Sequence, residues 1–427
     1  MAQTQSTRSC RAHLINIGDE LLEGVRPNGH LVWLGEQLAR KGIRLQQASI
    51  VRDELAPLVE EIRQAWAGCD LVITTGGLGP TTDDLTREAV AQALGLALVP
   101  DPAAEAALRQ RFAKIGRQVA DLDLRQCRVP QGALSLPNPR GTSPGILLER
   151  DGKVLAMLPG PGLELQPLFA EQVVPRLRAC GSACDGDAYV QVRTYGIGAA
   201  PLEAKIRPLL LAGMQLTFGT HSGVVDARIS PGSSGACRDR MMEVARKVRD
   251  AVGDDFVCTG HACLATLAVE RLAKLGRTLA VAESCTGGLL ASRLTDIPGA
   301  SAAVAGSIVS YTEDAKVTLL GIPADLLAQH GAVSAEAAAA MATAAAEKFG
   351  ADYGLAVTGW AGPGGGTPED PVGTVYLGYA SPSGVWSRRI VVAGDRAQVK
   401  VRAVNAALDW LRRNLSRYAV EDAVHGA

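Results

Sequence analysis

Along the first 100 residues, apolar and polar positions fall into alternating blocks. Apolar runs of strand length at 14–17, 45–51 and 71–75 are separated by stretches with helical spacing at 31–41, 55–67 and 85–94. Strands alternating with amphipathic helices predict a parallel sheet covered on both faces. Two more apolar runs, 146–149 and 154–158, sit beside turn-rich segments and extend it. From about residue 188 the period changes. Residues 189–195 alternate apolar with polar, 216–220 and 224–229 read as further short strands, and helical spacing appears at 202–211 and 241–252, which predicts a small α+β module. Buried-strand runs return at 279–282, 308–311 and 353–358, with helical spacing at 289–294 and an Ala-rich helix over 335–348. The expected fold is α/β in three parts: a parallel-sheet domain over 1–172, an α+β connector module over 173–260 and a second α/β domain over 261–427.

The polar signals lie where such sheets expose them, at the carboxyl ends of strands. Gly18-Asp19-Glu20 follows the first strand, and Thr75-Gly76-Gly77-Leu78-Gly79-Pro80-Thr81-Thr82-Asp83-Asp84 follows the third. Three glycines and two threonines ahead of a helix offer amides and hydroxyls to phosphate oxygens at the positive end of that helix. No Gly-Lys-Ser/Thr follows, so this is not a Walker loop. Asp83 and Asp84 repel phosphate unless a divalent cation lies between, which points to a metal-bound diphosphate. Either carboxylate can also simply cap the helix beginning at Leu85. Glu164, after Pro161-Gly162, can reach a metal or a ribose, or favour the helix dipole.

The carboxyl-terminal third carries a second constellation. Ser284 ends one strand, Tyr311 ends another with Lys316 about one helical turn beyond, and Thr358 ends a third that opens into Gly359-Trp360-Ala361-Gly362-Pro363-Gly364-Gly365-Gly366. Loops this rich in glycine let amides approach an anion or a developing oxyanion. The histidines after Gly260 are His261, His330 and His425, in a linker, a loop and the tail, so a Ser-His-Asp triad has no base. Glu283 and Cys285 flank the serine, so the Gly-x-Ser-x-Gly elbow is absent as well. What remains is a serine activated by lysine. Cys285 is the rival nucleophile, opposed by the neighbouring charge of Glu283. Each residue also has an ordinary reading: Ser284 as a helix cap, Lys316 as a solvated helix face, Tyr311 as a half-buried strand end.

Composition narrows the partners. Lys+Arg 43 against Asp+Glu 44 gives a formal net charge of -1 with no long basic block, so nothing marks a nucleic-acid surface. Aromatics are only 4%, leaving a core of aliphatic side chains and closely packed helices. Nine cysteines without a C-x-x-C suggest reduced thiols, and no stretch reaches membrane-spanning length. A cytoplasmic protein acting on small molecules is expected, with neither a nucleic-acid nor a membrane partner.

The stretch Ala282-Glu283-Ser284-Cys285-Thr286-Gly287-Gly288, the turn Pro298-Gly299-Ala300-Ser301, the pair Tyr311 and Lys316, Val357-Thr358-Gly359 with its glycine loop, and Gly394-Asp395-Arg396 resemble the C-terminal domain of the competence/damage-inducible CinA family. The resemblance implies a nicotinamide-nucleotide amidohydrolase, which converts nicotinamide mononucleotide to nicotinate mononucleotide and ammonia without a cofactor. It implies Ser284 as nucleophile, Lys316 as base, and Tyr311, Ser301 and Thr358 as supporting hydroxyls. Thr286, Gly287, Gly288 and Gly359 would contact substrate, and Arg396 its phosphate.

Residues 18–164 resemble the N-terminal CinA domain, which is similar to molybdopterin-binding domains and implies metal-dependent hydrolysis of ADP-ribose to AMP and ribose 5-phosphate. On that resemblance Asp19, Glu20, Asp83, Asp84 and Glu164 would hold a divalent metal ion, and Asn28, Gly76, Gly77, Gly79, Thr81 and Gly160 the substrate. The family's usual Asp-Thr-Asn-Ser reads Arg26-Pro27-Asn28-Gly29 here, keeping Asn28 but not the carboxylate or the hydroxyl. The expected function is pyridine-nucleotide salvage by a homodimer. Two alternatives stay open: a nucleotide-binding regulatory protein with an inert N-terminal domain, and a molybdopterin-binding or adenylylating enzyme.

Overall fold

The computed structural model describes residues 10–234 and 237–425; the polar first nine residues of the chain lie outside the described residues. The chain divides into two compact units, residues 1–189 and 190–427.

Unit 1 runs β1 (Arg11–Ile17), α1 (Asp19–Leu22), α2 (Gly29–Arg40), β2 (Arg44–Val51), α3 (Leu55–Gly68), β3 (Leu71–Thr75), α4 (Thr86–Leu94), β4 (Leu98–Pro100), α5 (Pro102–Lys114), β5 (Arg128–Pro130), β6 (Leu134–Leu136), β7 (Gly145–Arg150), β8 (Lys153–Leu158), α6 (Gly162–Leu168) and α7 (Val174–Ala179). Its main sheet has the order β2-β1-β3-β8-β7-β6. The strands from β2 to β8 are parallel, as the block pattern predicts. The inner strands are largely apolar on both faces because helices cover both, Leu71–Thr75 being buried at every position, whereas the edge strand β2 is mostly exposed. The sheet then turns antiparallel at β7 and β6. The cause is local: β7 and β8 are joined through Asp151 and Gly152, both at positive φ (54° and 73°), and a two-residue turn of this kind can only connect antiparallel neighbours.

Unit 2 begins with β9 (Val190–Tyr195), α8 (Ala199–Ile206), β10 (Gln215–His221), β11 (Val224–Ser230), α9 (Arg238–Val252) and β12 (Phe256–Thr259). These form the antiparallel sheet β10-β11-β9-β12, packed through Val190, Val192, Ala227 and Ile229 on Leu202, Met241, Val244 and Val248. There follow α10 (Leu264–Leu275), β13 (Leu279–Glu283), α11 (Leu289–Thr295), β14 (Val304–Val309), α12 (Glu313–Ala315), α13 (Ala324–His330), α14 (Ala335–Phe349), β15 (Tyr353–Gly359), β16 (Thr374–Ser381), β17 (Gly384–Val391) and α15 (Arg396–His425).

The second sheet of unit 2 has the order β14-β13-β15-β16-β17, parallel across its first three strands and antiparallel in the β16-β17 hairpin, which the sequence pattern did not suggest. One face packs on α10 and α15 and the other on α14. The Ala-rich α14 lies almost in backbone contact with this sheet. A Cβ on Gly354 would sit 1.9 Å from the Ala342 carbonyl oxygen, and one on Gly378 1.9 Å from that of Ala338. Helix alanines and strand glycines are thus matched, and the parallel register of β14, β13 and β15 brings their carboxyl ends to a common edge. No helix among the described residues is long and apolar enough to cross a membrane.

Candidate functional sites

In unit 2 the buried strand β13 ends in Glu283, whose carboxylate accepts from the amides of Gly288 (3.1 Å), Leu290 (3.0 Å) and Ala291 (2.8 Å). A buried carboxylate is tolerated where several N–H groups and the positive end of a helix face it. These bonds fold residues 283–291 into a tight turn, for which Gly287 and Gly288 supply φ of 59° and 91°. Ser284 opens the turn. Its amide donates to the Val357 carbonyl at 2.9 Å, and the Ser310 amide donates to the Glu283 carbonyl at 2.8 Å, so three strand ends are stitched together around it.

Beyond β14, Thr312 caps the next helix by accepting from the Ala315 amide at 3.1 Å, and the chain widens into a π-helical turn over Lys316–Leu320. This places Lys316, only 1% exposed, with Nζ 3.0 Å from Ser284 Oγ and donating to the Ser310 carbonyl at 2.8 Å. Neither partner is a carboxylate. Burial lowers the lysine's pKa, and the opposing influences of Cys285 and Glu313 are smaller. A neutral Lys316 donates one N–H to the carbonyl and keeps its lone pair for the Ser284 proton. The adjacent Cys285 thiol is pushed up to about 12 by its burial, which leaves it protonated at neutral pH.

Around this pair, Tyr311 is 55% exposed, and its phenol oxygen accepts from Arg396 Nη2 at 2.6 Å. Arg396, the first residue of α15, also donates from Nη1 to the Gly362 carbonyl at 2.7 Å, tying the glycine loop to the helix. Thr286 is fully buried and its hydroxyl has no hydrogen-bond partner among the described residues. Gly359 packs against β16, where a Cβ would come within 2.6 Å of the Thr374 carbonyl oxygen. The Thr358 hydroxyl is turned away, donating to the Ala332 carbonyl at 2.8 Å. Ser301 is not brought to the cluster: Leu279 pairs with Val304 and Glu283 with Val309, so Ser301 precedes β14 at the opposite end of the sheet from Ser284. Lys400, one turn after Arg396, was not anticipated. Its Nζ lies 3.7 Å from where a Gly287 Cβ would stand.

In unit 1 a cavity of about 370 Å³ lies at the carboxyl ends of β1, β3 and β8, lined by Glu20, Gly76, Gly77, Gly79, Asp83, Asp84, Gly160 and Glu164 among others. Asp19, Asn28 and Thr81 are not part of its lining. Asn28 caps α2, accepting from the Leu31 amide at 3.0 Å. The loop after β3 is held from below by α4. Thr86 Oγ1 donates to the Gly76 carbonyl (2.8 Å) and the Thr86 amide to that of Gly77 (3.2 Å). Arg87, fully buried, donates to the carbonyls of Leu78 (2.7 Å) and Gly79 (2.6 Å). Four successive carbonyls are thereby turned toward α4. Asp84 braces the far side, accepting from the amides of Gly79 (2.7 Å) and Thr81 (2.9 Å).

The carboxylates expected to hold a metal are largely answered by protein donors. Besides Asp84, Glu20 pairs with Arg26 at 2.6 Å, Asp19 with Arg52 at 3.4 Å, and Glu164 accepts from Asn138 Nδ2 at 2.7 Å. Among the described residues no group of three or more His, Cys, Asp or Glu is spaced to hold a metal ion. The side chains therefore do not fit a preformed metal centre.

Two lining residues escaped the sequence reading. His30 Nδ1 lies 3.2 Å from Thr75 Oγ1, and its pKa is lowered by burial and then by the charge of Arg26. Asp53 accepts from the Asp19 amide at 3.1 Å, yet its pKa is raised, by burial first and also by the neighbouring Asp19, Glu20 and Asp83.

Residues 13–179 match the family described as a probable molybdopterin binding domain, and residues 261–415 match the CinA C-terminal domain. Over 95% of its length the chain is 41% identical to a putative competence-damage inducible protein of Moorella thermoacetica, spanning 99% of that protein. It is 39% identical to a CinA-like protein of Frankia casuarinae, over 95% of this chain and 96% of that one. A solved structure of the protein CinA from Thermoplasma acidophilum, described as of unknown function, is 31% identical and covers 39% of this chain and 96% of its own, with a TM-score of 0.37.

Proposed function

The chain belongs to the CinA family, and on that premise we propose that unit 2 is a serine–lysine amidohydrolase acting on the carboxamide of nicotinamide mononucleotide. The observation that carries this reading is the buried contact of 3.0 Å between Lys316 Nζ and Ser284 Oγ, with no carboxylate bonded to the lysine. Neutral Lys316 takes the Ser284 proton as Oγ attacks the carboxamide carbon. The oxyanion forms beside the turn of residues 284–288, where the buried Thr286 hydroxyl has a hydrogen bond to give. Protonated Lys316 then returns its proton to the departing nitrogen, the C–N bond breaks, and ammonia leaves a nicotinoyl ester on Ser284. Water, deprotonated by the same lysine, releases nicotinate mononucleotide and restores the serine.

The substrate's pyridinium contributes in two ways. It withdraws electrons from the carbonyl, and its positive charge disfavours an ammonium on Lys316. Arg396 and Lys400, in the first turns of α15, are the cations available to the substrate phosphate. The test is to incubate the protein with nicotinamide mononucleotide and follow ammonia and the nicotinate product by mass spectrometry. A Ser284→Ala protein that still turns over sinks the proposal.

Unit 1 we read as a site for a nucleotide diphosphate of the ADP-ribose kind. Its support is the loop after β3. With the four carbonyls of residues 76–79 engaged by α4, the amides of Gly77 and Leu78 have no acceptor among the described residues and are free for phosphate oxygens. Calorimetric titration with ADP-ribose tests this reading.

A further inference from the structure

A diphosphate entering the unit 1 cavity meets Glu20, Asp83, Asp84 and Glu164 in the lining. Something positive has to face it, and the cavity contains a cation of its own. Arg26 lines the wall with its guanidinium 2.6 Å from Glu20, and both side chains are partly exposed. An ion pair that open to solvent contributes little to stability. The guanidinium can therefore exchange a carboxylate for phosphate oxygens at small cost, and its planar fork suits two of them at once. A second positive charge lies behind the loop. Arg87 is fully buried and, among the described residues, its hydrogen-bond partners are the Leu78 and Gly79 carbonyls rather than carboxylates. Its charge, only partly offset through space by Glu88 and Asp84, thus lies beneath the free amides of Gly77 and Leu78.

We propose that unit 1 binds its nucleotide diphosphate on protein charge alone, with Arg26 swinging from Glu20 to the phosphates, Arg87 polarising the loop from below, and no divalent ion needed for binding. This rests on the reading of unit 1 as a nucleotide-diphosphate site and goes beyond it in naming what neutralises the ligand. Two of the lining carboxylates agree: Asp84 is committed to the loop amides and Glu164 to Asn138. Glu20 then acts as the parking place of Arg26 between ligands. Gly18 leaves it room to do so, because a Cβ there would fall 2.4 Å from Glu20 Oε2.

The experiment is calorimetric titration of the full-length protein with ADP, once in EDTA and once in excess magnesium. The expected result is a Kd that agrees within about threefold between the two conditions. Arg26→Gln should weaken binding about tenfold or more in both, as expected for loss of a charge-assisted contact, and Arg26→Lys should recover part of the loss. Circular dichroism melting of each variant checks that it is folded. Binding that weakens tenfold or more in EDTA, or an Arg26→Gln protein that binds like the wild type, overturns the proposal while leaving the nucleotide reading in place. ADP failing to bind in either condition overturns both.

Discussion

The two sites place charge in opposite ways. In unit 2 the proposed nucleophile and base are withdrawn from water, Ser284 being 7% exposed and Lys316 1%, and desolvation lowers the lysine's affinity for its proton. In the unit 1 cavity Glu20 and Arg26 stay near the surface as a pair, while Arg87, fully buried behind the loop, faces backbone carbonyls. Burial changes proton affinity and so serves chemistry. Turning the carbonyls of a loop inward changes only the polarity of its surface, which serves binding. The difference predicts that substitutions in unit 2 act on rate and substitutions in unit 1 on affinity, each without disturbing the other.

The sharpest way to break that contrast is at the nucleophile. Ser284→Ala should remove essentially all deamidation, and Lys316→Met should lower kcat about 100-fold or more, the usual scale for losing a general base. ADP binding measured on the same proteins should not change. A loss of ADP affinity in either variant would mean that the two sites are coupled.

Next in size is Arg87. Arg87→Met leaves the buried Leu78 carbonyl and the partly buried Gly79 carbonyl without their donor, at about 1–3 kcal/mol for a buried unsatisfied group. The expected outcome is a melting temperature lower by several degrees and ADP affinity reduced about tenfold or more, with the deamidation rate unchanged. Affinity at the wild-type level in a folded Arg87→Met protein would show that the loop keeps its polarity without the arginine. Smaller still is Cys285→Ala. A thiol pushed up to about 12 is no nucleophile at neutral pH, so deamidation should stay within a few-fold of wild type. A dead Cys285→Ala protein together with an active Ser284→Ala protein would make this a thiol enzyme.

How much of this was legible in the sequence depended on whether a residue's role is local. The parallel strands and their helices carry their period in sequence, and most predicted elements overlap the observed ones, although the strand expected at 308–311 spans Val304–Val309 and the helix expected at 202–211 ends at Ile206. Ser284, Tyr311 and Lys316 lie next to strand ends, which periodicity locates well. Ser301 sits close to them in sequence, but the whole of β14 runs between Ser301 and Tyr311, which puts the two at opposite edges of the sheet. Thr358 stands at the right strand end, but nothing in its neighbours foretold that its hydroxyl would turn to Ala332. Asn28 reads equally as a ligand or a cap, and only the Leu31 amide decides. Arg87 was illegible for a different reason: an arginine in the first turn of an amphipathic helix looks solvated until the loop it holds is seen folding over it. The turn at Asp151-Gly152 was a hairpin signal in plain view, overridden by the expectation of a wholly parallel sheet.

The smallest effect follows from the same burial that makes Lys316 reactive. Its folded-state pKa is lowered from the ordinary value of 10.5, so between that lowered value and 10.5 the unfolded chain binds more protons than the folded one. Stability in that window rises with pH. Below the lowered pKa the folded protein must hold a buried ammonium, and the full penalty is present. Lys316→Met has no such group and fills similar space with apolar atoms, so it should melt a few degrees above the wild type at neutral pH, although it is nearly inactive. The gap should narrow as pH is raised, because the wild type recovers while the variant stays flat. The same ionisation governs the rate: wild-type kcat/KM should climb with pH through one limb, and that limb should be missing from the residual activity of Lys316→Met. A stability gap that is constant across pH, or that widens toward alkaline pH, would mean that Lys316 is not the group carrying the penalty, and the base in unit 2 would have to be sought elsewhere.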